Sequence, residues 1–214
     1  MSTLILYGAP FSTYVRTARL ACVEKGVDYT LAHESIEKVR SKAHLALHPF
    51  GKMPAMRHGD LVLYETPAIC RYIDAAFDGP PLQPKEPAAI GRMEQWTSVA
   101  TSYVYNDFIL RCVLQYIFPK GPDGQPDRQA IDAASGDLER DLRVLDNAYG
   151  ANDYIVGDDA PTIADLMLAP ILAYFVKTPE GETLMGRHAN VKRALQVMRQ
   201  RRSFRETEPP PPPA

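Results

Sequence analysis

Residues 51–73, GKMPAMRHGDLVLYETPAICRYI, carry most of the fold signal in the N-terminal part of this 214-residue chain. Two short runs, 53–58 and 61–64, flank the dipeptide Gly59-Asp60, which is typical of a β-hairpin turn. Residues 66–77 then place apolar side chains on one face of an amphipathic helix. The stretch therefore predicts a strand–strand–helix unit.

The residues before this stretch alternate between strand and helix patterns. A glycine at position 26 follows the first helical pattern, which is where helices commonly end. A strand–helix–strand unit requires a parallel strand pair, to which the hairpin adds antiparallel strands. Residues 1–78 are therefore predicted to form an α/β domain around a small mixed sheet. Its elements before the hairpin are strand 4–7, helix 12–25, strand 27–33 and short helix 41–47.

The composition changes after residue 78. Proline and glycine are concentrated in DGPPLQPKEP at 78–87, which predicts a linker at 79–87. No strand pattern follows, so residues 88–208 are predicted to be an all-helical domain. Thr162 and Asp165 have the spacing of a capping box at a helix start. The run EPPPPPA at 208–214 predicts a disordered, proline-rich tail at 209–214.

Composition excludes several classes of protein. The chain has 24 Lys and Arg against 26 Asp and Glu, a formal charge of −2, which excludes the broad basic field of nucleic-acid or anionic-membrane binders. The longest apolar run, 166–176, is too short to cross a bilayer. Residues 1–8 have the pattern of a first strand and not of a signal peptide. We expect a cytoplasmic protein with no nucleic-acid or membrane partner.

The three cysteines, Cys22, Cys70 and Cys112, are widely spaced. Their spacing matches neither a zinc site nor a dithiol redox motif, and an odd number fits a disulfide framework poorly. We predict three buried thiols and no metal site.

Ser12 is the first candidate site residue. It follows the first strand and opens the first helix, where free backbone amides and the positive helix end coincide. A serine is also a good N-cap at any helix start, and by itself the residue favours that plain interpretation.

Two further candidates flank the hairpin. Pro54, at the entrance of a strand, removes a ladder donor and is a position at which cis bonds occur, so the Met53 backbone could pair with an extended ligand. Thr66 is predicted to be the N-cap of the third helix, with Pro67 at its first position. Glu65 beside it suits an ammonium group. An edge proline and an ordinary helix start explain the same residues without a ligand.

In this order, the segments resemble the glutathione transferases. The resemblance rests on the element order, on GKMPA at 51–55 and ETPAICRYI at 65–73, and on the helix start APTIAD at 160–165. It runs from about residue 4 to 204 and implies an N-terminal thioredoxin-like α/β domain and an all-α C-terminal domain. The bacterial-looking start GAPFST at 8–13 is most similar to serine-type members of the phi- and theta-like branches.

The resemblance also implies roles for individual residues. Ser12 would be the catalytic residue that stabilises the glutathione thiolate. Tyr7 is the rival candidate for that role, although the simpler interpretation of Tyr7 is a tyrosine packed in the core. The aromatic residues of the first long helix fit plain core packing as well as a pocket. The implied glutathione site comprises Ser12, Arg40, Lys52, Met53, Pro54, Glu65 and Thr66. The implied electrophile pocket comprises Phe11, Tyr105, Phe108 and Tyr116.

The implied function is conjugation of the glutathione thiolate to small hydrophobic electrophiles, a detoxification reaction with glutathione as co-substrate and no metal. A glutathione-dependent peroxidase or dehalogenase on the same site is one alternative. A non-catalytic binding or scaffold protein of the same fold is another. Thr13 and Tyr14 follow Ser12, so the Ser-Ser-Cys run of the maleylacetoacetate isomerase branch is absent. The resemblance further implies a two-fold homodimer.

Overall fold

The structure is a computed structural model that describes residues 3–157 and 159–210. The chain divides into two compact units, Met1–Pro84 with Gln200–Ala214, and Lys85–Arg199. The predicted helical domain, 88–208, therefore includes a C-terminal segment that belongs to the first unit. From residue 211 onward, the predicted proline-rich tail lies outside the described residues.

A four-stranded mixed sheet forms the centre of the first unit, with strand order β2-β1-β3-β4. β1 and β2 are parallel, because a helix connects them, while β3 is antiparallel to both β1 and β4. The predicted mixed sheet and its hairpin are thus confirmed. The strands are β1 Leu4–Gly8, β2 Tyr29–His33, β3 Ala55–His58 and β4 Leu61–Tyr64.

The first and third helices of the first unit begin and end within one residue of their predicted limits. Gly26 ends the first helix in the left-handed conformation, at φ 71°, as its position in the sequence predicts. The second helix is shorter than predicted and follows a 3₁₀ turn at Lys38–Arg40. The helices are α1 Thr13–Lys25, α2 Lys42–Leu45, α3 Thr66–Ala76 and, from the C-terminal segment, α10 Arg202–Glu206.

α1 and α3 pack against each other through their apolar faces. Val15, Ala18 and Cys22 of α1 and Ile69 and Ile73 of α3 are fully buried. Lys25 at the end of α1 forms a buried ion pair with Asp74 of α3, with Nζ 3.0 Å from Oδ1. The ion pair joins the ends of the two helices. The amide of Leu82, in the predicted linker, also donates to Asp74, so the start of the linker is attached at the same place.

The second unit is helical, and its described residues contain no strand beyond an isolated bridge between Tyr154 and Gly157. Its first helical segment runs from residue 87 to 117. The central part, Ala100–Val113, has the wider i→i+5 hydrogen-bonding pattern of a π-helix. The helices are α4 Pro87–Val99, α5 Leu114–Ile117, α6 Arg128–Tyr149, α7 Ile163–Phe175, α8 Pro179–Met185 and α9 Ala189–Gln200.

The predicted capping box at the start of α7 is confirmed. Asp165 Oδ2 accepts hydrogen bonds from the amide and the hydroxyl of Thr162, at 2.8 and 2.9 Å. Asp165 Oδ1 accepts from the amide of Ile155 at 2.8 Å, so the same carboxylate also anchors the preceding loop. α7 is almost entirely buried in the second unit. The capping box fixes the residue at which this helix begins, and so fixes which side chains it buries.

Among the residues that the structure describes, no helix is both long and apolar enough to span a membrane.

Candidate functional site

The register of the sheet brings three segments to one of its ends. Tyr7 near the end of β1 lies opposite Ala55 at the start of β3, and Ala55 lies opposite Tyr64 at the end of β4. The turn after β1, the segment before β3 and the turn after β4 therefore meet. These segments carry Ser12, Met53 and Glu65 respectively, so three of the predicted site segments share one end of the sheet.

Ser12 is the N-cap of α1. Its Oγ accepts a hydrogen bond from the amide of Val15 at 3.4 Å, and its own amide donates to the carbonyl of Ala9 at 3.1 Å. The plain N-cap interpretation is thus confirmed. Capping uses the hydroxyl as an acceptor, which leaves its O–H able to donate to an anion beside the helix start. Ser12 is half-buried, so a ligand can reach it.

Close packing joins the β1–α1 turn to the segment before β3. The amide of Ala9 donates to Met53 Sδ at 3.2 Å. A Cβ at Gly8 would lie 2.4 Å from Val15 Cγ2 and 3.2 Å from Met53 Cβ. Only glycine leaves room for this approach, which places the start of α1 next to Met53.

The Met53–Pro54 peptide bond is cis. Pro54 is buried, whereas Met53 is half-buried and Lys52 is exposed. Met53 lies two residues before Ala55, where β3 begins. The backbone at Met53 is thus positioned at the entrance of the strand, as the sequence predicts for pairing with an extended peptide.

The start of α3 differs from the prediction. Glu65, and not Thr66, occupies the N-cap position, and it does so at φ 72° and ψ 113° without a side-chain capping bond. Thr66 is the first helical residue and Pro67 the second. The prediction was wrong because proline fits either of the first two helical positions, so the motif does not distinguish the two registers. Thr66 is buried and Glu65 is exposed.

Arg40 and Tyr7, two further predicted site residues, both lie in the first unit but differ in their exposure to solvent. Arg40 is exposed at the end of the 3₁₀ turn that follows β2, and β2 ends beside Gly8 at the same end of the sheet. Tyr7 is a half-buried residue of β1. Their proposed roles stay predictions.

Two buried histidines in this region were missed by sequence reasoning. His44 Nε2 lies 2.7 Å from the carbonyl oxygen of Lys52. The ring of His48 contacts that of Tyr64, with centroids 4.9 Å apart, and burial lowers the pKa of His48. The signal that could have revealed them is a pair of histidines four residues apart in AHLALH, at 43–48, directly before the proline segment.

The predicted electrophile-pocket residues have varied surroundings. Phe11 is 42% exposed. Phe108 is fully buried, with its ring centroid 4.3 Å from that of Phe175. Tyr105 is half-buried, and burial raises its pKa. The Tyr116 hydroxyl donates to Glu180 at 2.7 Å, and burial together with this carboxylate raises its pKa to about 12. The pocket assignment stays a prediction.

All three cysteines are buried and reduced, as predicted. Burial raises the pKa of each thiol, to about 12 for Cys70 and about 11 for Cys112. Such thiols are protonated at neutral pH and are poor nucleophiles. In residues 3–157 and 159–210, no three His, Cys, Asp or Glu side chains form a group that could hold a metal ion.

A mixed sheet with a cis-proline before β3, followed by an all-helical unit, defines a two-domain class with a thioredoxin-like first domain. Two family models match the chain: "Glutathione S-transferase, N-terminal domain" over residues 6–81 and "Glutathione S-transferase, C-terminal domain" over residues 128–196. Glutathione S-transferase 3 of Zea mays is 30% identical, over 99% of this chain and 98% of the relative.

Solved structures agree with these matches. Glutathione transferase F7 from Populus trichocarpa aligns with a TM-score of 0.85 at 28% identity, over 96% of this chain and 97% of that one. The theta class glutathione S-transferase from Xanthomonas axonopodis pv. citri, solved with glutathione bound, aligns with a TM-score of 0.80 at 26% identity, over 97% of both chains. The chain belongs to the glutathione S-transferase family, which confirms the predicted family and fold class.

Proposed function

We propose that this protein is a glutathione transferase that conjugates the glutathione thiolate to small hydrophobic electrophiles. The observation that carries the proposal is the position of Ser12. Its hydroxyl oxygen accepts the capping hydrogen bond of α1, so its O–H can donate to a thiolate. Ser12 lies at the end of the sheet where Met53 and Glu65 also lie.

The energy required of Ser12 is modest. A free thiol has a pKa of ~8.5, and lowering it by two units requires roughly 2.7 kcal/mol of preferential thiolate stabilisation. A hydroxyl that donates to a charged acceptor contributes about 1.5–3 kcal/mol, and a helix N-terminus adds ~0.3–1 kcal/mol. Ser12 and the first amides of α1 therefore suffice without a general base.

The remaining residues would hold the two charged ends of glutathione. Thr66 and the amides of α3 suit the α-carboxylate, because the N-terminus of α3 carries no acidic side chain in its first turn. Glu65, exposed at the N-cap, suits the ammonium group. Lys52 and Arg40, both exposed cations, suit the glycyl carboxylate.

The middle of the tripeptide would pair with the protein backbone. The backbone at Met53 precedes β3, so an extended cysteinyl unit can bind there as an added strand, with buried Pro54 shaping the bend. This pairing directs the thiol toward the start of α1, because the Met53 side chain touches the turn at Ala9.

We further propose that the electrophile contacts the aromatic side chains Phe11, Tyr105, Phe108 and Tyr116. The protein would act in the cytoplasm as a detoxification enzyme and would form a homodimer. The exposed aromatic ring of Phe50, with 71% of its surface accessible in the single chain, supports the homodimer.

The test is the pKa of the thiol of bound glutathione in Ser12→Ala. We expect this pKa to rise by about one to two units, since one unit corresponds to ~1.4 kcal/mol and the lost charge-assisted bond to about 1.5–3 kcal/mol. Turnover at neutral pH falls roughly 10- to 100-fold and partly recovers at high pH. Glutathione affinity changes little. Thiolate absorbance of the complex, followed against pH, measures the shift.

Two control variants separate this role from other effects. Asp127→Ala removes an equivalent cap in the second unit, where Asp127 accepts from the amide of Ala130, and should leave the thiol pKa unchanged. Tyr7→Phe tests the rival partner. A pKa shift in Tyr7→Phe with none in Ser12→Ala would overturn the Ser12 assignment.

A further inference from the structure

His44 is almost fully buried, and its side chain makes one specific contact with the proposed glutathione site. Its Nε2 lies 2.7 Å from the Lys52 carbonyl oxygen. A carbonyl can only accept, so Nε2 must carry the proton and donate it. In the neutral ring this contact selects one tautomer, with Nδ1 as the nitrogen that bears the lone pair.

The contact acts on a particular peptide group. The Lys52 carbonyl and the Met53 amide belong to one planar peptide unit, in which the C=O and N–H bonds point in opposite directions. A donor that holds the carbonyl from one side therefore fixes the direction of the Met53 amide on the other. Under the proposed function, this amide is the group that pairs with the cysteinyl unit of glutathione.

Among the described residues, main-chain hydrogen bonds hold the loop as far as Gly51. The amide of His48 donates to the His44 carbonyl at 2.8 Å, and the amide of Gly51 donates to the His48 carbonyl at 2.9 Å. The His44 side chain extends this series to Lys52, one residue before Met53. This side chain thus links α2 to the peptide unit at the site.

Burying a histidine at position 44 is energetically unfavourable if the side chain serves only to fill space in the core. Its Nδ1 is buried, and no hydrogen-bond partner for it exists among the described residues. Leaving a buried acceptor unpaired destabilises the folded state, and a leucine in the same place would not incur that cost. The compensating feature is the donor bond to Lys52.

We propose that His44 is a positioning residue for glutathione, which orients the Lys52–Met53 peptide through its Nε2–H. The inference rests on the proposed function of this site. His44 acts through the Lys52–Met53 peptide, so its effect is on glutathione binding and not on the chemical step.

The experiment compares His44→Leu with His44→Gln. His44→Leu removes the donor, and we expect the dissociation constant for S-methylglutathione, an unreactive analogue, to rise about 10-fold by calorimetry. The KM for glutathione rises in parallel, while kcat at saturating glutathione stays within two-fold. His44→Gln places an amide N–H near the position of Nε2 and restores binding to within about three-fold. His188→Leu, which removes a buried histidine of the second unit, leaves the affinity unchanged.

The outcomes separate this inference from the proposed function. If the wild-type protein does not bind S-methylglutathione, the proposed function fails. If the wild-type protein binds it and His44→Leu binds equally well, only the role of His44 is overturned. A measurement on the wild-type protein does not depend on the folding of either variant: nitrogen chemical shifts must show His44 as the Nε2–H tautomer, and an Nδ1–H tautomer refutes the inference.

Discussion

The hydroxyl of Ser12 and the backbone of Glu65 show how single residues combine structural and ligand-binding roles. Ser12 caps α1 through an oxygen lone pair, and the same hydroxyl can donate its proton to a thiolate. Glu65 holds a backbone conformation, φ 72° and ψ 113°, that residues with a Cβ rarely adopt. Such strain commonly occurs where a side chain must be held toward a ligand.

Substitutions of Glu65 should separate backbone strain from ligand binding. Glu65→Gly and Glu65→Ala both remove the carboxylate proposed to bind the ammonium group, so both should weaken glutathione affinity equally. Glycine tolerates the positive φ and alanine does not, so we expect Glu65→Gly to be more stable than Glu65→Ala by about 1 kcal/mol. Urea unfolding and calorimetric titration measure the two effects.

Asp123 provides the matched control, because it also has a positive φ, of 55°, in the second unit. Asp123→Gly and Asp123→Ala should differ in stability in the same direction and leave glutathione affinity unchanged. Equal stability of Glu65→Gly and Glu65→Ala would contradict the strain interpretation.

At the scale of elements, the C-terminal segment is fastened to α1, the helix that Ser12 caps. The buried Arg16 guanidinium stacks over the Phe204 ring at 3.8 Å and donates to the Phe204 carbonyl at 2.9 Å. One residue before the end of α1, Glu24 accepts two hydrogen bonds from Arg201, each 2.6 Å long, and one from Ser203. The orientation of α1 therefore depends on residues nearly 190 positions away.

This ion pair predicts a pH-dependent contribution to stability. Burial by itself would raise the pKa of Glu24, but the hydrogen bonds from Arg201 and Ser203 outweigh it, so the pKa lies below 4.5. A lowered carboxyl pKa stabilises the folded state above the unfolded value and loses that contribution as the pH falls below about 4.5. Arg201→Gln removes charge-assisted hydrogen bonds and should reduce the unfolding free energy by roughly 1.5–3 kcal/mol at pH 7. It should also reduce the further loss between pH 5 and 3.

Urea unfolding at pH 7 and pH 3.5 measures both effects. The neighbouring Arg202 is the control, because its pair with Glu206 is exposed, and Arg202→Gln should change stability little at either pH. An Arg201→Gln variant as acid-sensitive as the wild-type protein would show that the Glu24 pair does not contribute as described.

At the scale of the whole molecule, the first unit exposes an apolar patch beside the proposed site. Phe50 and Tyr64 contact each other edge to face with centroids 6.1 Å apart, and Phe50 is 71% exposed. Leu45 is also exposed, and its Cδ2 would lie 3.5 Å from a Cβ built at Gly51, next to Phe50. An exposed aromatic ring among apolar neighbours is typical of a surface that another chain covers.

We expect the protein to be a homodimer, with a mass by light scattering of about twice the chain mass of 23.8 kDa. Phe50→Ser should shift it toward the monomer at micromolar concentration, because the substitution removes the largest exposed ring of the patch. Phe118→Ser alters a ring of the second unit that is 50% exposed and serves as the control, with no change in mass expected. A wild-type mass of one chain would exclude the dimer.

Local patterns were sufficient for most of the architecture. Hydrophobic periodicity and Gly26 predicted α1, the Gly59-Asp60 turn predicted the hairpin, and the Thr162–Asp165 spacing predicted the start of α7. These features depend on residues a few positions apart, where backbone geometry leaves few alternatives. The same reasoning predicted Ser12 at the start of α1, because a serine between a strand pattern and a helix pattern is a preferred N-cap.

Other features depend on contacts between residues distant in sequence, which periodicity does not encode. Glu65 follows β4 directly and has a positive φ, which makes it the N-cap of α3. No local motif distinguishes this cap from one at Thr66. His44 acquires its role from a carbonyl eight residues later, and Glu24 from an arginine 177 residues later. Side chains that are unremarkable in the sequence become important through burial, because buried polar groups need specific partners that only the folded chain supplies.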